Sequence, residues 1–166
     1  IVNIGSTSNI SRFGLVMSSS STFTNNAAGT VNLNRITSQS GVTLQTAAKI
    51  FNNGIFNIGN IAPINGAGIL AIGASEISNN VGGTLAINNT TLSDAIYLSG
   101  AGTKFTNNAT MNIGNLFSIG GYGISADLAA LFQNNSTGII NMDNTTAGAI
   151  LLDSASTIFS NKGLVN

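Results

Sequence analysis

Apolar and polar residues alternate in short segments that recur along the chain. In each segment the first and third residues are apolar, and the middle one is Asn in all but one case. The segments are Val2-Asn3-Ile4, Val31-Asn32-Leu33, Phe56-Asn57-Ile58, Leu85-Ala86-Ile87, Met111-Asn112-Ile113 and Ile140-Asn141-Met142. Alternation with a period of two is typical of a β-strand, so the apolar residues are predicted to face inward and the middle residues outward.

A second set of short apolar segments follows the first after a turn region. Its members are Leu15-Val16-Met17, Val42-Thr43-Leu44, Ile69-Leu70-Ala71, Ile96-Tyr97-Leu98, Ile124-Ser125-Ala126 and Ile150-Leu151-Leu152. A third set begins with Phe or Ile and leads into an Asn doublet, as in Phe23-Thr24-Asn25-Asn26. Three strand segments in each repeat predict a coil with three sides.

The third set fixes the length of the repeat. Its leading residues are Phe23, Ile50, Ile77, Phe105, Phe132 and Phe159. They follow one another at a nearly constant interval of about 27 residues, and a constant period of this length indicates a solenoid. The chain is therefore predicted to be all-β, a single domain over residues 1–166 built as a three-sided parallel β-helix (β-solenoid) of about six coils.

Stacking of such coils predicts two internal ladders. The six leading residues named above are expected to form a core ladder, because a single coil cannot bury its own apolar side chains. The first Asn of each doublet is expected to form a structural Asn ladder at a corner, where Asn tolerates left-handed backbone and its amide can bond to the coils above and below. This ladder comprises Asn25, Asn52, Asn79, Asn107, Asn134 and Asn161.

The spacing of the first set is less even than that of the third. From Val2 to Val165 the intervals alternate regularly between a longer and a shorter one, which indicates a double repeat. Alternate coils carry extra residues between the doublet and the next strand, at 27–29, 81–83 and 136–138. These extra residues are predicted to form a bulged corner.

The outward positions of the first set form a candidate binding column. It comprises Asn3, Asn32, Asn57, Asn112 and Asn141, and it is interrupted at Ala86. Solvent-facing Asn is a poor strand former, so its repeated use calls for a reason beyond strand propensity. The column is either a structural feature or a face that binds carbohydrate or ice.

The charges are few and balanced. Five basic and five acidic residues cancel, and the basic ones are scattered, whereas a nucleic-acid binder needs a basic stripe. Lys49, Glu76 and Lys104 each precede a core-ladder residue and are predicted to form a column of alternating charge. No apolar run approaches the length of a membrane span, so neither a nucleic-acid partner nor membrane insertion is expected.

The chain has no Cys and no His, which removes disulfides, thiolate and imidazole chemistry and most transition-metal sites. Asp127 and Asp153 occupy equivalent positions about one coil apart, and they form the one candidate cation pair. Two carboxylates without a repeated Asp motif do not favour catalysis. The sequence therefore predicts no enzymatic activity, no cofactor and no dedicated metal site.

Two stretches carry a resemblance to a known class of protein. Ile50-Phe51-Asn52-Asn53-Gly54-Ile55-Phe56-Asn57-Ile58-Gly59 and Phe159-Ser160-Asn161-Lys162-Gly163-Leu164-Val165-Asn166 resemble coils of bacterial surface adhesins, the passenger domains of the filamentous-haemagglutinin and autotransporter type. The resemblance implies a right-handed coil, secretion, and a rod at the bacterial cell surface that contacts host or surface glycans.

The two ends of the chain lie at the same phase of the coil, at Val2-Asn3 and Val165-Asn166, with no polar cap evident at either. The chain is therefore expected to be a slice of a longer solenoid or a subunit that stacks end to end into filaments. The function predicted is that of a structural repeat module of an extracellular surface fibre or adhesin, and the alternative is a carbohydrate- or ice-binding solenoid face.

Overall fold

The computed structural model describes all 166 residues and contains only strands, turns and bends. The strands are β1 (Val2–Ile4), β2 (Leu15–Met17), β3 (Thr22–Asn25), β4 (Thr30–Leu33), β5 (Val42–Leu44), β6 (Lys49–Asn52), β7 (Ile55–Ile58), β8 (Ile69–Ile72), β9 (Glu76–Asn79), β10 (Thr84–Ile87), β11 (Ile96–Ser99), β12 (Lys104–Asn107), β13 (Thr110–Ile113), β14 (Tyr122–Asp127), β15 (Leu131–Asn134), β16 (Ile139–Met142), β17 (Gly148–Leu152), β18 (Ile158–Asn161) and β19 (Leu164–Val165). Every third strand belongs to the same sheet.

Three parallel sheets form the sides of the coil. The first sheet has the order β1-β4-β7-β10-β13-β16-β19, the second β2-β5-β8-β11-β14-β17 and the third β3-β6-β9-β12-β15-β18. All strand pairs are parallel and join consecutive coils. The predicted all-β, three-sided β-solenoid of about six turns is confirmed.

The core lies along the axis, between the inward faces of the three sheets. Leu33, Leu44, Ile58 and Ile87 are fully buried within one continuous apolar cluster. A continuous core of this kind is what a single coil lacks and a stack of coils provides. The fold is therefore held together by contacts between coils.

The core ladder lies in register along the third sheet. Strand pairing aligns Phe23 with Ile50 at one end and Phe132 with Phe159 at the other. The rings of Phe105 and Phe132 stack with centroids 4.8 Å apart and planes 5° from parallel. This spacing equals the distance between neighbouring strands, so aromatic side chains stack without bending the coil.

The alternate spacing in the sequence produces bulged corners on every second coil. The backbone N–H groups of Gly29, Gly83 and Gly138 donate to the carbonyls of Asn26, Asn80 and Asn135, which closes a turn over the two residues between them. The exposed turn residues are Ala27-Ala28, Val81-Gly82 and Ser136-Thr137. The structure thus shows the corner that the extra residues predict.

A second alternation, which the sequence reading missed, compensates for the first at the next corner. The connection from Val31 in β4 to Val42 in β5 is shorter than the equivalent connection from Phe56 in β7 to Ile69 in β8. Coils that gain residues at one corner lose them at the next. The second and third sheets consequently keep a nearly even spacing, with about 27 residues between neighbouring strands.

The shape of the second corner depends on glycine in alternate coils. Gly59 has φ +71°, and a Cβ atom there would lie 1.9 Å from the carbonyl oxygen of Asn88. Such a distance is far inside van der Waals contact, and the conformation itself disfavours L side chains. Glycine is therefore required at this position.

Candidate functional site

The buried Asn ladder is formed by the last residue of each strand in the third sheet. Each side-chain amide Nδ2 donates to the Oδ1 of the next Asn toward the C-terminus, at 2.8–2.9 Å. The bonded series is Asn25, Asn52, Asn79, Asn107, Asn134 and Asn161. All but the last are buried, so the ladder crosses the whole stack inside the protein.

A second set of bonds fixes the orientation of these amides. Asn52 Nδ2 also donates to the carbonyl of Thr84 at 3.1 Å, and Asn79 Nδ2 donates to that of Thr110 at 3.0 Å. The Gly54 N–H donates to Asn52 Oδ1 at 3.3 Å. Because a carbonyl only accepts and an N–H only donates, a flipped amide would lose these partners. The ladder therefore ties the corner to the strand of the first sheet one coil further along and has a structural role.

The predicted reason for Asn at this corner needs one correction. None of the doublet residues has a positive φ, and the first Asn of each doublet is the last residue of its strand. Left-handed conformations instead occur at Thr46, Ala47, Leu128 and Ala129, in the turns between the second and third sheets. Asn is used at the doublets for its amide and not for its backbone tolerance.

The outward Asn column forms a second ladder on the first sheet. Asn32 Nδ2 donates to Asn3 Oδ1 at 2.7 Å, and Asn57 Nδ2 donates to Asn32 Oδ1 at 2.8 Å. Asn141 Nδ2 donates to Asn112 Oδ1 at 2.8 Å, and Asn166 extends the column with the same bond to Asn141. These bonds point toward the N-terminus, opposite to those of the buried ladder.

This column is accessible and it is broken at one place. Asn32, Asn57, Asn112 and Asn141 are half-buried, and Ala86 lies between Asn57 and Asn112 in the strand register. The column thus consists of two hydrogen-bonded segments of three Asn residues each. Each member keeps one amide hydrogen and oxygen lone pairs available to a ligand or to water.

The charged column is in the predicted register along the third sheet. Lys49 pairs with Glu76 and Glu76 pairs with Lys104. Lys49 Nζ lies 3.3 Å from Glu76 Oε2, and both side chains are partly exposed. A partly exposed ion pair of this kind contributes little to stability.

The two carboxylates of the candidate cation pair, Asp127 and Asp153, lie at equivalent positions on adjacent coils, but only the Asp127 side chain has a hydrogen-bond partner. Tyr97 donates its hydroxyl hydrogen to Asp127 Oδ2 at 2.9 Å, and Asp127 Oδ1 is buried without a hydrogen-bond partner. Burial raises the pKa of Tyr97, and its bond to Asp127 raises it further. Asp153 is exposed, and no group of three acidic, His or Cys side chains comes together anywhere in the chain.

Sequence reasoning missed a third group of Asn side chains, at the second corner. The Ile61 N–H donates to Asn34 Oδ1 and the Leu116 N–H to Asn88 Oδ1, both at 3.0 Å. Asn34 and Asn88 are buried and each follows a strand of the first sheet directly. Their recurrence at twice the coil length was the signal available in the sequence.

These features define a class of protein: a β-solenoid repeat whose coils are joined by stacked Asn ladders. Comparison with protein-family models, with curated proteins and with solved structures finds no match to the chain. No helix in the structure has the length and apolarity that crossing a membrane requires.

Proposed function

We propose that this chain is a structural module of an extracellular bacterial surface fibre or adhesin, and that it extends along its axis by stacking on further coils. The observation that carries the proposal is the repetition of the same contacts between coils. Asn25 bonds to Asn52 as Asn107 bonds to Asn134, and both pairs lie in parallel strands in register. Further coils can be added to such a stack through the same contacts.

Stacking is also directional. The buried ladder donates toward the C-terminus at every step and the outward ladder donates toward the N-terminus, so each face of a coil offers the donors of one ladder and the acceptors of the other. A coil that follows in the same direction satisfies both, whereas an inverted coil opposes like groups. This polarity supports head-to-tail extension, with neighbouring repeats or a second copy as the partner.

The surface setting rests on the resemblance of the coil pattern to adhesin passenger domains. We propose no enzymatic activity, since the carboxylates of the candidate pair, Asp127 and Asp153, differ in environment and Asp127 already accepts a hydrogen bond from Tyr97. A second candidate function, carbohydrate or ice binding by the first sheet, is favoured by the accessible outward Asn column.

Negative-stain electron microscopy of the purified protein over a concentration series tests the fibre. At high concentration we expect thin fibres whose axial repeat reflects the six or seven strands of each sheet, roughly 29–34 Å. Ser160→Lys places a charge on β18, the outermost strand of the third sheet, and should shorten the fibres. Gln133→Lys, one strand inside and paired with Ser160, is the matched control. Separate rods at every concentration would refute self-stacking.

A further inference from the structure

The interruption of the outward ladder at Ala86 has a defined chemistry. Asn57 Nδ2 donates to Asn32, so the Oδ1 of Asn57 is directed toward Ala86 on the following coil. Asn112 uses its Oδ1 to accept from Asn141, which directs its Nδ2 toward Ala86 from above. Strand pairing places Ala86 between the two. An acceptor and a donor therefore face each other across one missing amide.

The size of this interruption matches one amide group. Neighbouring strands lie about 4.8 Å apart, so Asn57 and Asn112 are separated by two spacings, about 9.6 Å. Within each segment one spacing is bridged by a single amide bond of 2.7–2.8 Å. A trans secondary amide has its N–H and C=O on opposite sides and fills two such bonds in line. Ala86, which is 9% exposed, forms an apolar floor beneath it.

The residues beside the interruption favour a sugar over a peptide. Thr84 and Thr110 are partners in adjacent strands, two residues before Ala86 and Asn112, so they lie on the same outward face. Both are half-buried. On the other side of Thr84, Ile55 is 46% exposed and pairs with it. Neighbouring hydroxyls with an apolar surface and no charge suit a pyranose ring.

We propose that the face around Ala86 binds the acetamido group of an N-acetylated sugar. The acetamido carbonyl accepts from Asn112 Nδ2, its N–H donates to Asn57 Oδ1, its methyl group packs on Ala86, and the ring hydroxyls meet Thr84 and Thr110. The proposal rests on the proposed surface role in one respect, because a protein at the cell surface would meet such glycans. Binding itself does not require the fibre, since the site lies in the middle of the first sheet.

The test is a titration of the intact ¹⁵N-labelled protein, followed at the side-chain NH₂ signals. We expect methyl N-acetyl-β-glucosaminide to shift the signals of Asn112 and Asn57 with about millimolar affinity, as is usual for a ligand of this size. Methyl β-glucoside, which lacks the amide, should leave them unchanged. Equal shifts with both sugars, or none with either, would overturn the proposal.

Variants locate the site and separate the sugar from other amides. Ala86→Asn supplies the missing amide and should weaken binding at least tenfold while raising the melting temperature. Adding Asn32→Ala to this variant opens an interruption with the same acceptor and donor between Asn3 and Asn57, flanked by Thr30 and Ile55 instead of two Thr residues, so weaker shifts should appear there. Binding that survives Ala86→Asn would rule out this site. Free acetamide that binds as well as the sugar would rule out a sugar as the specific ligand. Fibre formation is scored separately by microscopy.

Discussion

The molecule contains two Asn ladders, built from the same bond yet placed in different surroundings. The buried ladder has five inter-coil bonds, and its amides also bond to backbone carbonyls of the first sheet one coil further along. The outward ladder has four such bonds, lies half-exposed on the first sheet and is interrupted at Ala86. The same residue therefore has different roles in the two ladders, because burial sets how much stability each hydrogen bond contributes.

The largest effect is expected from Asn79→Ala in the buried ladder. The change removes bonds to Asn52, Asn107 and the Thr110 carbonyl, all at 2.9–3.0 Å. It leaves buried donors and acceptors without partners, and each costs about 1–3 kcal/mol. We expect the free energy of unfolding to fall by at least about 3 kcal/mol, measured by urea denaturation.

The neighbouring doublet residue provides the control for this variant. Asn80 donates to Asn53 at 3.0 Å and is half-buried, so water can replace its bond in Asn80→Ala. Equal losses in Asn79→Ala and Asn80→Ala would contradict the importance that we give to burial.

A smaller effect is expected from Asn32→Ala in the outward ladder. Two bonds are lost, to Asn3 and from Asn57, but both partners remain accessible to water. We expect a loss of about 0.5–1.5 kcal/mol in the same urea experiment. A loss as large as that of Asn79→Ala would mean that the outward ladder is a main source of stability.

The second sheet carries a pH-dependent contact that lies outside both ladders. The pKa of Tyr97 is raised above its ordinary value of about 10, first by burial and then by its bond to Asp127. The folded chain therefore holds this proton more tightly than the unfolded chain does. Stability contributed by the contact is present below pH about 10 and is lost as the pH rises through the pKa of folded Tyr97.

Ultraviolet titration of tyrosinate measures this shift, with Tyr97→Phe used to assign the transition. Asp127→Asn should bring the pKa of Tyr97 closer to its ordinary value, because it removes the charge that opposes deprotonation. Asp153→Asn is the matched change on the next coil and should have a smaller effect. An unchanged titration in Asp127→Asn would show that burial alone sets the pKa.

The smallest effect is expected at the charged column. Lys49 and Glu76 lie 3.3 Å apart, but their side chains are 46% and 32% exposed. An ion pair with this exposure contributes about 0–1 kcal/mol and is screened by salt. A double-mutant cycle of Lys49→Met and Glu76→Gln should give a coupling of that order at low salt that vanishes at about 1 M salt. A larger coupling would mean that charge helps to fix the register.

The ladders themselves could be predicted because coils repeat in the sequence. The even steps from Phe23 to Phe159 place equivalent residues at one strand spacing, which predicts the buried Asn series and the charged column, and the repeated alternating segments predict the outward Asn series. Residue positions do not show in which direction the amides of a ladder donate their hydrogen bonds. In the buried ladder the direction is fixed by further partners of each amide, such as the Thr84 carbonyl for Asn52.

Other features escaped prediction because they depend on contacts at corners. Asn34 and Asn88 are recognisable as buried side chains only once the loop residues Ile61 and Leu116 are seen to donate to them. The sequence marks Asp127 and Asp153 only as a candidate cation pair, and it gives no sign that Asp127 accepts a hydrogen bond from Tyr97 on the preceding coil. Corner geometry is set by several non-adjacent segments at once, so no local pattern reports it.

A period-two pattern repeated at a constant interval predicts the strands, the coil length, the three-sided stack and the inward or outward side of each Asn column, because such a pattern has few other ways to bury its apolar face. The direction in which each amide donates, and the separation of a donor from an acceptor at Ala86, are seen only in the folded coils. These properties depend on what lies above and below each coil, and hydrogen-bond direction follows from that environment rather than from residue type.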